Sequence, residues 1–327
     1  MSTFTLKYPL FDGKKLWCGT AVTVEDGIIR SVTECDKAEC GEGLLIPGLI
    51  DAHTHMGTES QVNAMLQNGV TATCDVSAPQ SLAENSKQLT IVSSAGMTMG
   101  TLNGKSYVKK VIENGAKYVK VLLMEPNLMP KGVLKSICQT AHEHGLKVAV
   151  HATTVKAVRM AVDCGTDILL HVPMKEEYPT ELAREIADKG IVVAPTLVMM
   201  ETFAHSGRGG YLPEHYQNAE NAVKLLHSLG VTILAATDAN SGSYAPAVAY
   251  GTTVHREFLL LTKAGLTPTE ALEAATSKVA DVFGISGLGY ISQGCKATLV
   301  LVEGRPDRKI TDTTKIKQIW IAGEPIL

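Results

Sequence analysis

The chain has 327 residues, of which 45% are hydrophobic and 19% charged, and its formal net charge is -3. This composition is typical of a globular protein, and the length is enough for one large α/β unit or two medium domains. The slightly acidic balance provides no basic surface for nucleic acid or anionic lipid, and aromatic residues make up only 5%. We therefore expect neither a nucleic-acid partner nor a membrane partner.

The cysteines and the N-terminal residues favour a cytoplasmic location. The seven cysteines are odd in number, scattered, and form no C-x-x-C pair, so we expect reduced thiols. Residues 1–20 lack the charged and apolar regions of a secretory signal. The longest apolar runs are far shorter than the roughly 18 residues that a membrane-spanning helix needs.

Both ends of the chain have the pattern of short β-strands. Residues 3–35 contain FTLKYPLFDG and TAVTVEDGIIRSVTE, which are alternating apolar stretches with Asp-Gly turn signals. Residues 288–327 are similar, with ATLVLVEG, IKQIWIAG and a Gly-Glu-Pro turn. These segments predict small β-rich units at the two ends.

Between the two ends, short apolar runs alternate with helical patterns. The strand candidates, in chain order, are GLIDAHTH, GVTATCDVS, IVSSAGMT, AKYVKVLL, KVAVHA, DILLHV, IVVAPTLV and VTILAATDA. Eight strand–helix units in succession predict an α/β fold of the closed (β/α)8 TIM-barrel type. A doubly wound sheet is the alternative, but no glycine-rich phosphate loop follows any of these strands.

Ionisable residues gather where the candidate strands end. The first strand, in LIPGLIDAHTH, ends in two histidines that share a face because their positions differ by two. Further strands carry or end in Lys, His or Asp, and the full set is His53, His55, Lys120, His151, His171 and Asp238. One strand-end histidine is usually a hydrogen-bonded core residue, and an Asp can cap a helix. Six such residues at one end of five strands favour a common site, because barrel sites lie at that end.

The residue types suggest metal chemistry. Imidazole nitrogens and carboxylate oxygens suit a borderline ion such as Zn²⁺. A lysine in a buried strand is costly unless its charge is paired or removed. A carbamate formed from Lys120 and CO₂ would remove that charge and could bridge two ions. From these residues alone, both one metal and two metals stay open.

PGLIDAHTH, the strand-end Lys, the two later His and ATDA together resemble the amidohydrolase superfamily. The chain is most similar to its imidazolonepropionase-like and Xaa-Pro dipeptidase-like branch, which includes ochratoxin-hydrolysing enzymes. The resemblance implies a barrel over residues 47–285 and a small split β-sandwich from residues 1–46 and 286–327. One departure is Thr298, where the family usually has an Asp; we expect only a local structural effect.

The resemblance also implies two divalent metal ions, expected to be Zn²⁺. His53 and His55 would bind the more buried ion together with Asp238, while His151 and His171 would bind the second. The carbamate on Lys120 would bridge them. A bridging hydroxide would then attack a C–N bond of an amide, lactam or dipeptide, and Asp238 would act as general base and acid.

Three alternatives stay open. The same site could hydrolyse a lactone or another ester. A mononuclear deaminase of cyclic amidines is the second alternative, although the family's deaminases place a Glu a few residues after a strand-end His, and Glu176 lies further along than that. The third is a scaffold that has lost its chemistry, against which the complete ligand set argues.

Other polar and apolar residues give weaker predictions. Arg208 and Tyr211 lie in residues 201–216, which we interpret either as a lid carrying substrate contacts or as a solvated loop. Met124 belongs to a group of methionines near strand ends that predicts an apolar, adaptable cleft for a small-molecule substrate. His142 and His144 lie at a helix end, and we interpret both as structural. No sequence feature fixes the oligomeric state, but the family's barrels often assemble, so the resemblance leaves a homo-oligomer open.

Overall fold

The chain begins with strands that pair antiparallel. In this computed structural model, which describes residues 3–243 and 245–326, the first four strands are β1 (Thr3–Phe11), β2 (Leu16–Glu25), β3 (Ile28–Glu34) and β4 (Leu44–Pro47). β1 pairs antiparallel with β2, and β2 with β3, whereas β1 and β4 pair parallel. Met1, Ser2, Tyr244 and Leu327 lie outside the described residues.

Strands and helices alternate through the middle of the chain. The strands are β5 (Leu49–Thr54), β6 (Val70–Asp75), β7 (Thr90–Ser93), β8 (Met97–Thr98), β9 (Val119–Leu123), β10 (Val148–Ala152), β11 (Ile168–Leu170) and β12 (Val192–Ala194). The helices are α1 (Glu59–Gln67), α2 (Gln80–Asn85), α3 (Gly104–Glu113), α4 (Lys131–Glu143), α5 (Val155–Cys164), α6 (Thr180–Asp188), α7 (Leu197–Ser206), α8 (Tyr216–Ser228), α9 (Thr252–Lys263), α10 (Pro268–Ala274) and α11 (Ser277–Phe283). The strands form two parallel sheets, of order β5-β6-β7 and β12-β11-β10-β9-β8. This is an α/β fold.

The segment 231–239, predicted as the eighth strand, is not assigned as a strand but hydrogen-bonds to both sheets. Val193 in β12 donates its N–H to the carbonyl of Thr232 at 3.0 Å. On the other side, Ala52 in β5 donates to the carbonyl of Ala235 at 3.0 Å. The prediction of eight barrel strands is thus confirmed only in part, because the last one makes isolated bridges instead of a ladder.

A buried cluster lies on one face of these strands. Its strand residues come from every predicted strand position and include Ile50, Ala52, Ala72, Cys74, Val92, Tyr118, Ala149, Ile168, Leu170, Ala194, Leu234 and Ala236. Helix α5, for example, buries one apolar stripe that contains Ala157, Val158, Ala161 and Val162. The strands therefore have apolar contacts on both faces, which explains their near-continuous apolar sequences.

The C-terminal segment returns to the first sheet. It adds β13 (Leu299–Val302), β14 (Ile316–Ile321) and β15 (Glu324–Pro325), and β13 pairs antiparallel with β4. The result is one seven-stranded sheet of order β15-β14-β13-β4-β1-β2-β3. Both ends of the chain thus join one β-unit; its packing as a two-layer sandwich and the boundaries 1–46, 47–285 and 286–327 stay predictions.

The region after β12 differs from its prediction. IVVAPTLV was predicted as one strand, but β12 ends at Ala194 and Leu197 begins helix α7. Residues 201–216 are therefore not a single loop, because α7 continues to Ser206 and two short 3-10 turns follow, Arg208–Gly210 and Pro213–His215. The strand prediction was wrong because α7 is apolar at most positions of its first turn, so its sequence lacks the periodicity of a helix with one solvated face.

Within the part of the chain that the structure describes, no helix is long and apolar enough to cross a membrane.

Candidate metal centre

Two histidines, His53 in β5 and His55 directly after it, converge on one carboxylate. The Nε2 atom of His53 lies 3.3 Å from Oδ1 of Asp238, and Nε2 of His55 lies 3.0 Å from the same oxygen. The backbone fixes this arrangement, since Asp238 donates its N–H to the carbonyl of His53 at 2.9 Å. His53 and His55 therefore meet Asp238, which lies one residue before the end of the 231–239 segment.

A buried carboxylate beneath these residues connects the same two segments. Asp51 accepts the hydroxyl hydrogen of Thr237 at 2.6 Å and the N–H of Thr237 at 3.0 Å. It also accepts the N–H of His53 at 3.2 Å. Burial raises the pKa of Asp51 to about 7, against the lowering effect of these hydrogen bonds. Asp51 therefore holds the residue before Asp238 in register with His53.

Two further histidines, His151 in β10 and His171 directly after β11, lie close to His53. Their ring centroids are 4.4 Å apart, and the ring of His171 lies 5.5 Å from that of His53. The Nδ1 atom of His171 is 2.7 Å from the hydroxyl oxygen of Thr196, which leaves its Nε2 for another partner. One ligand atom each from His53, His171 and Asp238 can be chosen within 4.8 Å of one another.

Three residues of this region have a left-handed backbone conformation. His171 has φ 69°, Thr196 has φ 51° and Asp238 has φ 57°. Residues other than glycine occupy this conformation at a cost of about 1–3 kcal/mol each, and such residues cluster at functional sites. Each of the three follows closely after a strand or strand-like segment, so the strain lies where the side chains turn towards one another.

Burial keeps His53, His151 and His171 neutral. It lowers the pKa of His53 and His171 well below the usual value and that of His151 to about 3, and the positive charge of Lys120 acts in the same direction. Burial also lowers the pKa of Lys120 to about 7, with Asp238 opposing the shift. Neutral imidazoles are the form that binds a metal ion.

The residues fit one or more metal ions. Among the described residues, Nζ of Lys120 and Nδ1 of His53 are buried without a hydrogen-bond partner, which is costly unless a ligand binds there. Four imidazoles, a carboxylate and an amine are donors that suit Zn²⁺ or a similar ion. We therefore regard the cluster as a candidate metal centre.

The predicted substrate contacts lie at the same end of the strands but differ in how exposed their side chains are. Met124 directly follows β9 and is 39% exposed, and Arg208 is exposed in the first 3-10 turn after α7. Tyr211 is half-buried, with its ring 5.4 Å from that of Phe203 and with Thr153 beside its hydroxyl. Thr153 comes two residues after His151, so this contact connects Tyr211 to the segment that follows β10.

Three other polar residues have structural partners. His142 lies 2.8 Å from the carboxylate of Asp167, and Nδ1 of His144 lies 2.8 Å from the carbonyl oxygen of Thr140. Glu176, which a deaminase would need as a proton carrier, instead accepts the N–H of Val155 at 2.7 Å, at the start of α5. These contacts give each group a local structural partner.

Sequence reasoning missed four buried residues that support the centre: Asp51, Thr196, Thr237 and Glu257. Asp51 and Glu257 are acidic residues within apolar runs, in LIDAHTH and REFLLL, and that contrast is the signal that could have identified them. Nothing in the sequence distinguishes the two threonines.

A donor cluster at the carboxyl ends of parallel strands defines a class of α/β proteins whose sites bind metals or small molecules. Comparison with known proteins narrows the class. The sequence profile described as the amidohydrolase family matches residues 44–326. The chain belongs to this family and is a hydrolase.

Individual relatives agree with this assignment. The imidazolonepropionase of Idiomarina loihiensis is 25% identical, over 86% of this chain and 83% of the relative. A Xaa-Pro dipeptidase crystallised with methionine in its active site superimposes with a TM-score of 0.85 at 17% identity, covering 99% of this chain and 100% of the other. The ochratoxinase of A. niger gives a TM-score of 0.81 at 19% identity, covering 99% and 95%. These structural likenesses show the fold.

Proposed function

We propose that this protein is a binuclear metal-dependent hydrolase that cleaves a C–N bond of an amide, lactam or dipeptide. The observation that carries the proposal is the convergence of His53, His55 and His171 around Asp238. His53, His55 and Asp238 would hold one ion, and His151 and His171 the other. The names of the relatives, an imidazolonepropionase and a Xaa-Pro dipeptidase, support a C–N target.

The two ions, proposed to be Zn²⁺, would make water a strong nucleophile near neutral pH and polarise the substrate carbonyl. Asp238 would take a proton on a carboxylate oxygen and deliver it to the leaving nitrogen. The histidine contacts of Asp238 Oδ1 orient this carboxylate for that transfer. Because Asp51 fixes Thr237, the backbone that carries Asp238 is held in place throughout.

We propose that Lys120 is a carbamate in the active protein. Its uncharged amine would attack CO₂, form an N–C bond and release a proton, giving an anionic carboxylate between the two metal positions. The support is burial of the ammonium without a partner among the described residues. Lys120 pairs with Ala149 on β10, two residues before His151, so the lengthened side chain would extend towards His151.

We propose that the two parallel sheets and residues 231–239 together form the closed (β/α)8 barrel. The hydrogen bonds of residues 232–235 to β12 and β5 support closure on one side. On the other side, Lys117, just before β9, donates its N–H to the carbonyl of Ser93 in β7 at 2.8 Å. The seven-stranded sheet would then be the main layer of the split β-sandwich.

The wall of the site next to Lys120 is apolar, which supports a substrate with an apolar group. Leu122 and Met124 follow Lys120 at alternate positions, so they continue its face of β9 towards the carboxyl end. Met97 on β8 pairs with Lys120, and Met97 and Met124 are 37% and 39% exposed. We propose that this wall takes an apolar part of the substrate and that Tyr211 and Arg208 contact its polar part.

The first experiment measures metal per chain on protein expressed with added zinc and bicarbonate, and then hydrolysis of matched amide and ester pairs. Two equivalents of metal per chain, with faster cleavage of the amide than of the matched ester, would support the proposal. If the apolar wall binds the substrate, lengthening an apolar acyl chain should raise kcat/KM by up to about fourfold per methylene. The control variant is His205→Gln, at the exposed end of α7, which should change neither the metal content nor the rate of hydrolysis. No hydrolysis by metal-loaded protein would overturn the proposal. Release of ammonia from cyclic amidines with one equivalent would favour a deaminase.

A further inference from the structure

The start of helix α7 is capped by a residue from another helix. Leu197 donates its N–H to Oε1 of Glu257 at 3.0 Å, and Val198 donates to Oε2 at 2.7 Å. Glu257 lies on α9 and is completely buried. The first N–H groups of a helix have no partner within it, so these two bonds satisfy donors that would otherwise be buried and unpaired.

Thr196, at the N-cap position of α7, is thereby free for another contact. An N-cap threonine usually accepts a backbone N–H of its own helix. Among the described residues, the Thr196 hydroxyl makes no such bond, and it lies 2.7 Å from Nδ1 of His171. Thr196 is itself fully buried and has φ 51°, a conformation that a threonine adopts only when its surroundings hold it.

We propose that Glu257 is a positioning residue for His171. By accepting the first two N–H groups of α7, it holds Thr196 in the conformation whose hydroxyl binds Nδ1 of His171. Nδ1–H then donates to Thr196, and Nε2 keeps the lone pair that a metal ion needs. This inference rests on the proposed function for the role of His171 as a metal ligand. The contacts that lead from Glu257 to Nδ1 of His171 involve only protein atoms.

The competing explanation is that Glu257 only ties α9 to α7. The chain contains a matched control for it, because Arg256 on α9 also forms an ion pair with Glu201 on α7. The Nε atom of Arg256 donates to Oε2 of Glu201 at 2.9 Å. This pair joins the same two helices one turn further along and does not contact Thr196.

The test compares Glu257→Gln, Thr196→Val and Glu201→Gln. The first readout is zinc affinity, measured by competition with a chromophoric chelator. The second is the tautomer of His171 in the metal-free protein, from ¹⁵N chemical shifts of the imidazole. We expect Glu257→Gln and Thr196→Val each to weaken the binding of one zinc equivalent by about 10- to 100-fold and to lose the single Nδ1–H tautomer. The double variant Glu257→Gln/Thr196→Val should bind zinc only slightly more weakly than either single variant. Thr196→Ser keeps the hydroxyl and should give the wild-type affinity and tautomer. Glu201→Gln should also leave both readouts as in the wild type.

Three results would overturn the proposal. These are wild-type affinity and tautomer in Glu257→Gln, an equal loss of affinity in Glu201→Gln, and additive losses in the double variant. If Glu257→Gln does not fold, Glu257→Asp, which keeps a shorter carboxylate, replaces it and should show an intermediate loss. If the wild type binds no zinc, the proposed function fails, while the tautomer measurement still decides whether Glu257 positions His171.

Discussion

The Nε2 atom of His55 lies 3.0 Å from Oδ1 of Asp238, and the backbones of the two segments are joined at the same point. His55 donates its N–H to the carbonyl of Ala239 at 2.8 Å, and Asp238 donates to the carbonyl of His53 at 2.9 Å. The candidate metal centre therefore depends on the pairing of β5 with residues 231–239. A change that separates these two segments would remove the site as well as the contact between them.

Asp238→Asn is the most direct test of the proposed chemistry. The amide keeps the size of the carboxylate but cannot accept a proton, so kcat on an amide substrate should fall by roughly 10²- to 10⁴-fold. Steady-state kinetics on metal-loaded protein measures this, and circular dichroism should show an unchanged fold. A variant that keeps more than half of the wild-type kcat would exclude Asp238 as the proton carrier.

Removal of bound metal should destabilise the protein. A ligand that binds only the folded state adds about 2.7 kcal/mol at a concentration of roughly 100 times its Kd, so a strong chelator should lower Tm by several degrees. The double variant His53→Asn/His55→Asn should lose less stability on addition of the chelator, because the histidine ligands of one of the two proposed ions are already lost. Equal responses of wild type and variant would place the bound metal elsewhere.

The sequence predicted the strand-end residues because two simple rules apply to them. Alternation along β5, continued by the residue after it, places His53 and His55 on one face, and parallel strands bring their carboxyl ends to one side. It did not predict the contacts of Asp51 with Thr237 or of Glu257 with the start of α7, because the partners are far apart in the chain and no sequence pattern links one to the other. The start of α7 was missed since an apolar run of a few residues fits a strand and a buried helix equally.

Lys120→Met tests whether Lys120 is needed to bind the second metal ion. Methionine fills similar space without a charge or an amine, so the metal content should fall from two equivalents to one. Intact-mass measurement of wild-type protein under native conditions should show the added mass of CO₂, which the variant should lack. Because a buried, unpaired ammonium is costly, the metal-free variant should be at least as stable as the metal-free wild type. Two equivalents in Lys120→Met would refute the bridging role.

A histidine outside the centre should make stability depend on pH. His255 on α9 is buried, and burial lowers its pKa to about 4 from the usual 6.5. Between these two values the unfolded chain binds more protons than the folded one, so stability falls as the pH is lowered from 6.5 to 4, by up to roughly 3 kcal/mol from this residue. Urea unfolding at several pH values should give a flatter curve for His255→Leu than for the wild type. Parallel curves would show that His255 does not contribute.

Gly48 is the junction between the seven-stranded sheet and the first strand of the parallel set. It follows β4 directly and precedes β5, and its N–H donates to the carbonyl of Thr298 at 3.0 Å. A Cβ atom at this position would lie 2.2 Å from Oγ1 and 2.7 Å from Cγ2 of Thr71. Gly48→Ala should therefore destabilise the protein by about 1–3 kcal/mol, since a packed interior cannot absorb the extra methyl group without displacement.

Thr71→Ala supplies the matched control for Gly48. It removes the two atoms that the new methyl group would meet, so the double variant Gly48→Ala/Thr71→Ala should be more stable than the sum of the two single changes predicts. Urea denaturation of the four proteins gives the coupling free energy, which should be roughly 0.5–3 kcal/mol in favour of the double variant. Additive effects would mean that Thr71 is not what excludes a side chain here, and Cγ2 of Thr298, 3.0 Å from the same Cβ position, would then be the contact to test.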